Sequence, residues 1–132
     1  MKTEKEYNNL TGNIIHAATE VHRQLGPGLL ESVYEVCLEK ELILRNMKVE
    51  RQKRLPVIYK GYTLDKDFII DLLVEDEIVI ELKAVEELIP VHEVQLLTYL
   101  KLSNRPLGLL INFNTPLLKS GIRRKINCYL QN

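Results

Sequence analysis

The most chemically suggestive residues of this sequence are Asp71, Glu81 and Lys83, within the stretch "DLLVEDEIVIELK". Both halves of the stretch are rich in β-forming residues, and alternate residues of a strand share a face. If the hairpin loop comprises residues 75–77, Asp71 and Glu81 lie directly opposite each other, with Cβ atoms ~5 Å apart. A two-residue loop would shift the register by one and place the two side chains on opposite faces. Lys83 shares the face of Glu81 in either register.

Paired carboxylates on these strands require something that neutralises them. Both strands are apolar on both faces, which predicts a sheet covered on both sides, where like charges are costly. A shared proton, a basic side chain such as Lys83, or a divalent cation would each reduce the repulsion. Mg²⁺ is typically held by one or two carboxylates together with water and substrate phosphates. The set therefore suits metal-assisted phosphodiester hydrolysis, with Lys83 orienting the attacking water. The alternative is a surface hairpin with scattered charges.

The elements that position these residues are predicted from hydrophobic periodicity. Apolar residues recur at three- and four-residue steps in three segments, which predicts helices over about Tyr7 to Leu25, Leu30 to Arg45 and Pro90 to Leu102. Between the second and third helices, β-branched residues interrupted by turn residues predict a three-stranded antiparallel meander, with Pro56 at an edge position. Within the meander, Phe68, Ile70 and Leu72 are expected on one face of their strand and Asp71 on the other face.

A further apolar run, Leu107 to Phe113, predicts a strand that is covered on both faces. Residues 115–130 are expected to form a loop and a short basic terminal segment. The order of elements therefore predicts an α/β fold, with one mixed sheet (an antiparallel meander plus a further strand) flanked by helices.

Composition bounds the class of protein. The chain has 132 residues, 45% hydrophobic and 27% charged, which predicts one soluble globular domain over residues 1–132. Its formal net charge is zero and therefore argues neither for nor against a nucleic-acid partner. The N-terminus lacks the apolar core of a signal peptide and no run is long enough to span a membrane, so we expect a cytoplasmic location. Cys37 and Cys128 are expected to be buried reduced thiols.

Several motifs resemble those of a known enzyme group. Asp71, followed after nine residues by Glu81-Leu82-Lys83, resembles the core of the PD-(D/E)XK nuclease superfamily. The segment "GLLESVY" at 28–34 resembles the motif that names the GxxExxY family of that superfamily. "QLLTY", which contains Gln95 and Tyr99, resembles the Gln-x-x-x-Tyr signature of RecB-like nucleases, and "LGLLINF" resembles the apolar strand that follows it.

The resemblance implies a restriction-endonuclease-like core and a role for each matching residue. Asp71, Glu81, the Leu82 backbone carbonyl and Glu31 would be ligands of Mg²⁺ or Mn²⁺, and Lys83 would be the catalytic lysine. For Glu31, the alternative is a favourable charge at a helix N-terminus, worth ~0.3–1 kcal/mol.

Gln95 and Tyr99, four residues apart on one helix face, would support Lys83 or contact a DNA backbone, and the alternative is a packing role at the edge of the core. The implied function is hydrolysis of DNA phosphodiesters, with a homodimer or a protein partner supplying further grip. The alternative is a non-catalytic protein that binds nucleic acid or another protein on the same fold.

Other charged and titratable residues offer weaker candidates. His16, His22 and His92 lack the spacing of metal ligands and are expected at the surface or the edge of the core. Basic residues cluster in two segments of the sequence and could contact phosphates or simply be solvated. These clusters are Lys48, Arg51, Lys53 and Arg54, and Lys119, Arg123, Arg124 and Lys125.

Overall fold

The computed structural model describes residues 2–127, which form three α-helices, five β-strands and one short 3₁₀ turn. In chain order the elements are α1 Glu4–Leu25, α2 Glu31–Leu44, β1 Val49–Tyr59, β2 Tyr62–Val74, β3 Ile78–Lys83, α3 Pro90–Ser103, β4 Leu107–Asn112, the 3₁₀ turn Leu118–Gly121 and β5 Ile122–Ile126. The three predicted helices, the meander and the apolar strand are confirmed, with boundaries that differ by up to three residues.

Helix α1 begins three residues earlier than predicted because its N-terminus is capped. The Thr3 side chain accepts a hydrogen bond from the Glu6 amide (3.1 Å), and the Glu6 carboxylate accepts one from the Thr3 amide (3.0 Å). This reciprocal capping satisfies two backbone donors at the helix start. Apolar periodicity does not detect it, since the first helical turn is polar.

The five strands form one sheet in the order β1-β2-β3-β4-β5. Strands β1/β2, β2/β3 and β4/β5 pair antiparallel, whereas β3 and β4 pair parallel. The parallel pair requires a crossover between the two strands, and α3 supplies it. The predicted mixed sheet with flanking helices is therefore confirmed, and Pro56 lies on the edge strand β1 as expected.

Strand β5 corrects the prediction of a loop and a basic terminal segment. Ile122–Ile126 pairs with β4 along its whole length, from Ile111↔Ile122 to Leu107↔Ile126. Three of its five residues are basic, which obscures the β pattern in the sequence. Charged side chains are common on edge strands because they discourage pairing with another chain.

The sheet separates two apolar clusters. One lies on the side covered by α1 and α2 and includes the buried residues Tyr7, Ile14, Tyr34, Leu38, Leu72, Val74, Ile78, Ile80, Leu82 and Phe113. The other lies beneath α3 and comprises Phe68, Ile70, Leu73, Val79, Leu96, Leu100 and Leu110. The β2–β3 hairpin therefore lies in a sheet that is covered on both sides, as predicted.

The first two strands change faces at Gln52 and Asp71. Ile70 packs beneath α3, whereas Leu72 packs against α1 and α2. The prediction that Phe68, Ile70 and Leu72 share one face was therefore wrong. Gln52 has a positive φ of 53° and is not paired with Asp71, although the pairs on both sides of them keep one register. This local break reverses the face on which alternate residues lie. Ile70 before it therefore packs beneath α3, and Leu72 after it packs against α1 and α2.

Two other expectations concern the rest of the chain. No helix within residues 2–127 combines the length and the apolarity needed to cross a membrane. Cys37 is a free thiol and is half-buried. Cys128 lies outside the described residues.

Candidate active site

The hairpin that joins β2 to β3 has a three-residue loop, which decides between the two registers that the sequence left open. Val74 pairs with Ile78, and the ladder continues to Leu72↔Ile80, where it ends one pair short of Asp71 and Glu81. Arg105 holds the loop by donating to the Asp76 backbone carbonyl (2.9 Å) and to its carboxylate (2.8 Å). The register therefore brings Asp71 and Glu81 to adjacent positions at the open end of the hairpin.

Asp71 is held by a donor on each carboxylate oxygen. Its Oδ2 accepts a hydrogen bond from the Leu82 amide at 2.9 Å, and its Oδ1 accepts a longer one from Gln52 Nε2 at 3.4 Å. The first contact replaces strand pairing at the position where the ladder has ended. The half-buried carboxylate thus points toward β3 and keeps acceptor capacity for another partner.

Glu81 is the most perturbed titratable group of the site. The residue is only 5% exposed, and its Oε1 has no hydrogen-bond partner within the described part of the chain. Burial raises the pKa of Glu81 to about 10, and the negative charge of Asp71 and a hydrogen bond between the two carboxyls add to the effect. The positive charge of Lys83 partly opposes it. At neutral pH this carboxyl therefore retains its proton unless a cation compensates its charge.

Lys83 follows Glu81 by two residues and is half-buried at the end of β3. Strand alternation places both side chains on one face. Of the carboxylates in the region described, none lies within 4.0 Å of the Lys83 ammonium. Its charge nevertheless lowers the pKa of both Glu81 and Glu31. Lys83 is thus near Glu31 and Glu81 but forms no ion pair with a described carboxylate.

Helix α2 brings two further carboxylates toward Asp71. Glu31 is the first residue of the helix and is exposed; partial burial raises its pKa, and the charge of Asp71 raises it further. Glu35 lies one turn later and is only 8% exposed. Its Oε1 accepts a hydrogen bond from Gln52 Nε2 at 2.6 Å, so Gln52 bridges Glu35 and Asp71. Burial raises the pKa of Glu35, and the Asp71 charge also acts in that direction.

Sequence reasoning missed Glu35 and Gln52. Glu35 follows Glu31 by four residues and therefore shares its helix face, a signal that was present in the sequence. Gln52 carried no such signal, because its role depends on a backbone conformation that Gln rarely adopts.

Helix α3 places Tyr99 near the same carboxylates, and Gln95 on the same helix contacts Tyr99. The Gln95 amide donates to the Tyr99 hydroxyl at 3.4 Å, and the Tyr99 ring lies 5.1 Å from the ring of Phe68 on β2. The pKa of Tyr99 is raised by burial and by the charges of Glu81 and Asp71. Tyr99 is therefore within electrostatic reach of the site.

The glycine and tyrosine of "GLLESVY" have structural roles. Gly28 has a φ of 99°, which a residue with a side chain rarely adopts, and it precedes the start of α2. Tyr34 is buried, stacks on Phe113 with ring centroids 4.5 Å apart, and donates to the Gly26 carbonyl at 2.6 Å. These contacts fix the start of α2 relative to the sheet, and with it the position of Glu31.

The donor set fits a hard divalent cation with few protein ligands. Within residues 2–127, no group of three or more His, Cys, Asp or Glu side chains is arranged to hold a metal ion. Two carboxylates, Asp71 and Glu81, do converge, and one of their oxygens is buried without a hydrogen-bond partner. Mg²⁺ keeps several waters and needs only one or two carboxylates, so this pair suits it better than a cation that demands a complete protein cage.

The histidines are engaged elsewhere or stay outside the site. His22 Nε2 lies 2.8 Å from the Thr115 carbonyl, and His92 Nδ1 accepts a hydrogen bond from the Ile89 amide at 3.1 Å. His16 is exposed on α1.

The predicted basic clusters are partly engaged as well. Arg51 pairs with Glu39 (3.0 Å), and Lys125 pairs with Glu93 (2.7 Å). Lys53 and Arg123 also form ion pairs, with Glu50 and Glu93, so at least half of the eight basic residues in these clusters are compensated within the molecule.

Comparison with protein families identifies one match. The family model described as the PD-(D/E)XK nuclease superfamily matches residues 8–125, which is nearly the whole chain. The mixed sheet with flanking helices agrees with the restriction-endonuclease-like core of that superfamily. Searches of curated proteins and of solved structures found no significant match.

Proposed function

Because the chain belongs to the PD-(D/E)XK nuclease superfamily, we propose that it is a Mg²⁺- or Mn²⁺-dependent nuclease of the GxxExxY group that hydrolyses DNA phosphodiesters. The observation that carries the proposal is the buried Glu81 carboxyl beside Asp71. Its Oε1 is buried and has no hydrogen-bond partner in the described part of the chain, which is costly in a purely structural group. A strongly perturbed carboxyl with a specific charged neighbour is typical of a functional site.

Each residue of the site has a distinct proposed role. Asp71, Glu81 and the Leu82 carbonyl are the ligands of the metal, and Glu31 at the start of α2 approaches it from the helix side. A bound Mg²⁺ would supply positive charge that stabilises the developing negative charge on the scissile phosphate. Lys83 orients the attacking water, since its ammonium is near the carboxylates but free of an ion pair.

Neighbouring residues position this set. Gln52 and Glu35 hold Asp71 from the β1 and α2 sides, through the 2.6 Å and 3.4 Å contacts of the Gln52 amide. Gln95 and Tyr99 form one wall of the site and are available to the DNA backbone. Substitution of a residue that hydrogen-bonds to a metal ligand typically lowers metal affinity or activity by about 10- to 100-fold.

A cleavage assay with matched lysine variants tests the proposal. Purified protein is incubated with single-stranded, duplex and branched DNA in Mg²⁺, in Mn²⁺ or in EDTA. We expect metal-dependent cleavage that falls by at least about 100-fold in Lys83→Ala, since proton transfer and water orientation contribute that order of rate. Asp71→Asn should have a similar effect, because it removes a negative charge from the metal site.

The control is Lys101→Ala, which removes an exposed lysine of α3 and should leave cleavage unchanged. Calorimetric titration with Mn²⁺ complements the assay. A silent titration, with and without DNA, together with no cleavage of any substrate would reject the nuclease and favour a non-catalytic binding protein. Light scattering tests the predicted homodimer.

A further inference from the structure

The first two strands extend well beyond the rest of the sheet. Strand β2 pairs with β3 only over residues 72–74, whereas β1 and β2 continue to pair from Lys53↔Ile70 to Tyr59↔Tyr62. We call residues 53–70 the hairpin arm. The arm begins directly after Gln52 and Asp71, so its base adjoins the candidate active site. At ~3.3 Å per residue its tip lies roughly 20 Å along the strand from that junction.

The base of the arm is packed, and its tip is bare. Near the base, Phe68 and Ile70 are buried beneath α3. At the tip, four large apolar residues are between 43% and 72% exposed: Ile58, Tyr59, Tyr62 and Leu64. A register shift between Pro56 and Ile58 leaves residues 64–66 opposite the single residue Val57, a bulge that increases the local twist.

The two tyrosines of the tip form a matched pair. Tyr59 and Tyr62 are Cα partners across the two strands and are 59% and 72% exposed. The turn between them uses Lys60 (φ 51°) and Gly61 (φ 81°), a two-residue connection with positive φ at both positions that suits the twist of a hairpin. Neither ring contacts another aromatic ring in the region described, and each side chain is more than half exposed.

The arm also carries three basic side chains without an ion pair among the described residues, whereas its fourth, Lys53, pairs with Glu50. The Lys60 ammonium lies 5.5 Å from the centroid of the Tyr59 ring. Arg54, Lys60 and Lys66 form no ion pair with any described carboxylate, in contrast to Arg51 and Lys125 elsewhere on the molecule. The arm holds four basic residues and two acidic ones, which leaves it net positive within a chain of zero net charge.

We propose that the hairpin arm binds a single-stranded segment of nucleic acid, with unpaired bases stacking on Tyr59 and Tyr62 and phosphates meeting Arg54, Lys60 and Lys66. Aromatic side chains combined with cations are the usual means of binding unpaired bases without sequence preference. Bases within a duplex are already stacked and cannot offer their faces to these rings. The inference rests on the proposed nuclease function, because it assigns the substrate class and the site that guides it to Asp71.

Fluorescence anisotropy in EDTA tests binding separately from cleavage. The probes are a fluorescein-labelled 20-mer of deoxythymidine, the matching uridine 20-mer and a 20-base-pair duplex. We expect the full-length protein to bind the single strands more tightly than the duplex. The double variant Tyr59→Ala/Tyr62→Ala should lose about tenfold or more in single-strand affinity, the order expected for lost base stacking. The variant Tyr59→Phe/Tyr62→Phe keeps the ring faces and should retain the affinity. The two single strands show whether DNA or RNA is preferred.

The matched control is Ile43→Ala/Leu44→Ala, which truncates two exposed apolar residues of α2 and should leave binding unchanged. Unchanged affinity in the alanine arm variant, equal loss in the phenylalanine variant, or no single-strand binding by the wild type would each overturn the proposal. A wild-type dimer that the alanine variant converts to a monomer, without loss of affinity, would assign the arm to a second copy instead. Tyrosine-dependent binding without any cleavage would remove the proposed nuclease and keep the arm as a binding surface. Lys83-dependent cleavage that is unchanged in the double tyrosine variants, together with unchanged binding, would keep the proposed nuclease and reject the arm as its binding surface.

Discussion

Asp71 and Glu81 show how backbone geometry creates a carboxyl with a strongly perturbed pKa. The β2–β3 ladder ends before this pair, which frees Asp71 to accept a hydrogen bond from the Leu82 amide. It leaves Glu81 buried, with one oxygen that has no hydrogen-bond partner among residues 2–127. A structural carboxyl would normally be hydrogen-bonded at that depth. The site therefore stores an unfavourable arrangement that binding of a cation would relieve.

The bridging role of Gln52 leads to a prediction at the residue scale. Gln52→Asn introduces a residue that adopts positive φ more readily than Gln, but it shortens the side chain by one methylene, so the amide no longer reaches both carboxylates. We expect Mn²⁺ affinity, measured by titration calorimetry, to fall by about 10- to 100-fold. Loss of the hydrogen bond to the buried Glu35 should also lower the free energy of unfolding by about 1–3 kcal/mol. A purely structural role would lower stability and leave the metal isotherm unchanged, which would contradict the prediction.

Helix α3 packs closely against strand β4 at Gly108. A Cβ at this position would lie 2.7 Å from Leu96 Cδ1, 3.1 Å from the Val79 carbonyl and 3.2 Å from Leu100 Cδ2. The helix can therefore rest on β4 only because the strand lacks a side chain there. This contact also sets the height of Tyr99 above the carboxylates.

Gly108→Ala is expected to destabilise the protein by about 1–3 kcal/mol, the usual cost of overpacking a tight core. Urea denaturation followed by far-ultraviolet circular dichroism measures this loss. The control is Gly12→Ala in α1, where an added Cβ meets nothing within 4 Å and the helix should gain about 0.5–1 kcal/mol. Equal stability of the Gly108→Ala variant and the wild type would show that α3 can shift without cost.

The buried carboxyl of Glu81 affects the stability of the whole molecule. Its pKa is about 10 in the folded protein, against an ordinary value of 4.5 for a solvated glutamate side chain. Between these values the folded chain holds a proton that the unfolded chain releases, so stability falls as pH rises. The contribution is fully present below the lower value and is lost as pH passes the higher one.

We therefore expect Glu81→Gln, measured by thermal unfolding in EDTA, to become increasingly more stable than the wild type from about pH 5 to pH 9. The wild-type free energy of unfolding should decline by up to about 1.4 kcal/mol per pH unit relative to the variant. Glu87→Gln, at an exposed loop position, should follow the wild type. Mg²⁺ or Mn²⁺ should reduce the wild-type slope under the proposed function, because a bound cation favours the ionised carboxylate. Parallel pH profiles of wild type and Glu81→Gln would contradict this account.

Much of the fold and part of the site could be predicted from the sequence. Periodicity located the three helices and four of the five strands. Strand alternation offered two hairpin registers, and the structure chose the one that places Asp71 near Glu81. The strand β5 escaped prediction because its basic residues hide the alternation of an edge strand. Gln52 escaped because its contacts with Glu35 and Asp71 join three elements that are distant in sequence. Glu35 was missed although its spacing from Glu31 places both on one helix face.

Local pattern determined which residues form strands and helices, because hydrophobic period and turn chemistry act over a few neighbouring positions. Tertiary structure alone decided where the first two strands change faces, how deeply Glu81 is buried and that the arm tip stays bare. Each of these depends on which layer of side chains meets the sheet at a given point, and that is a property of packing between distant segments.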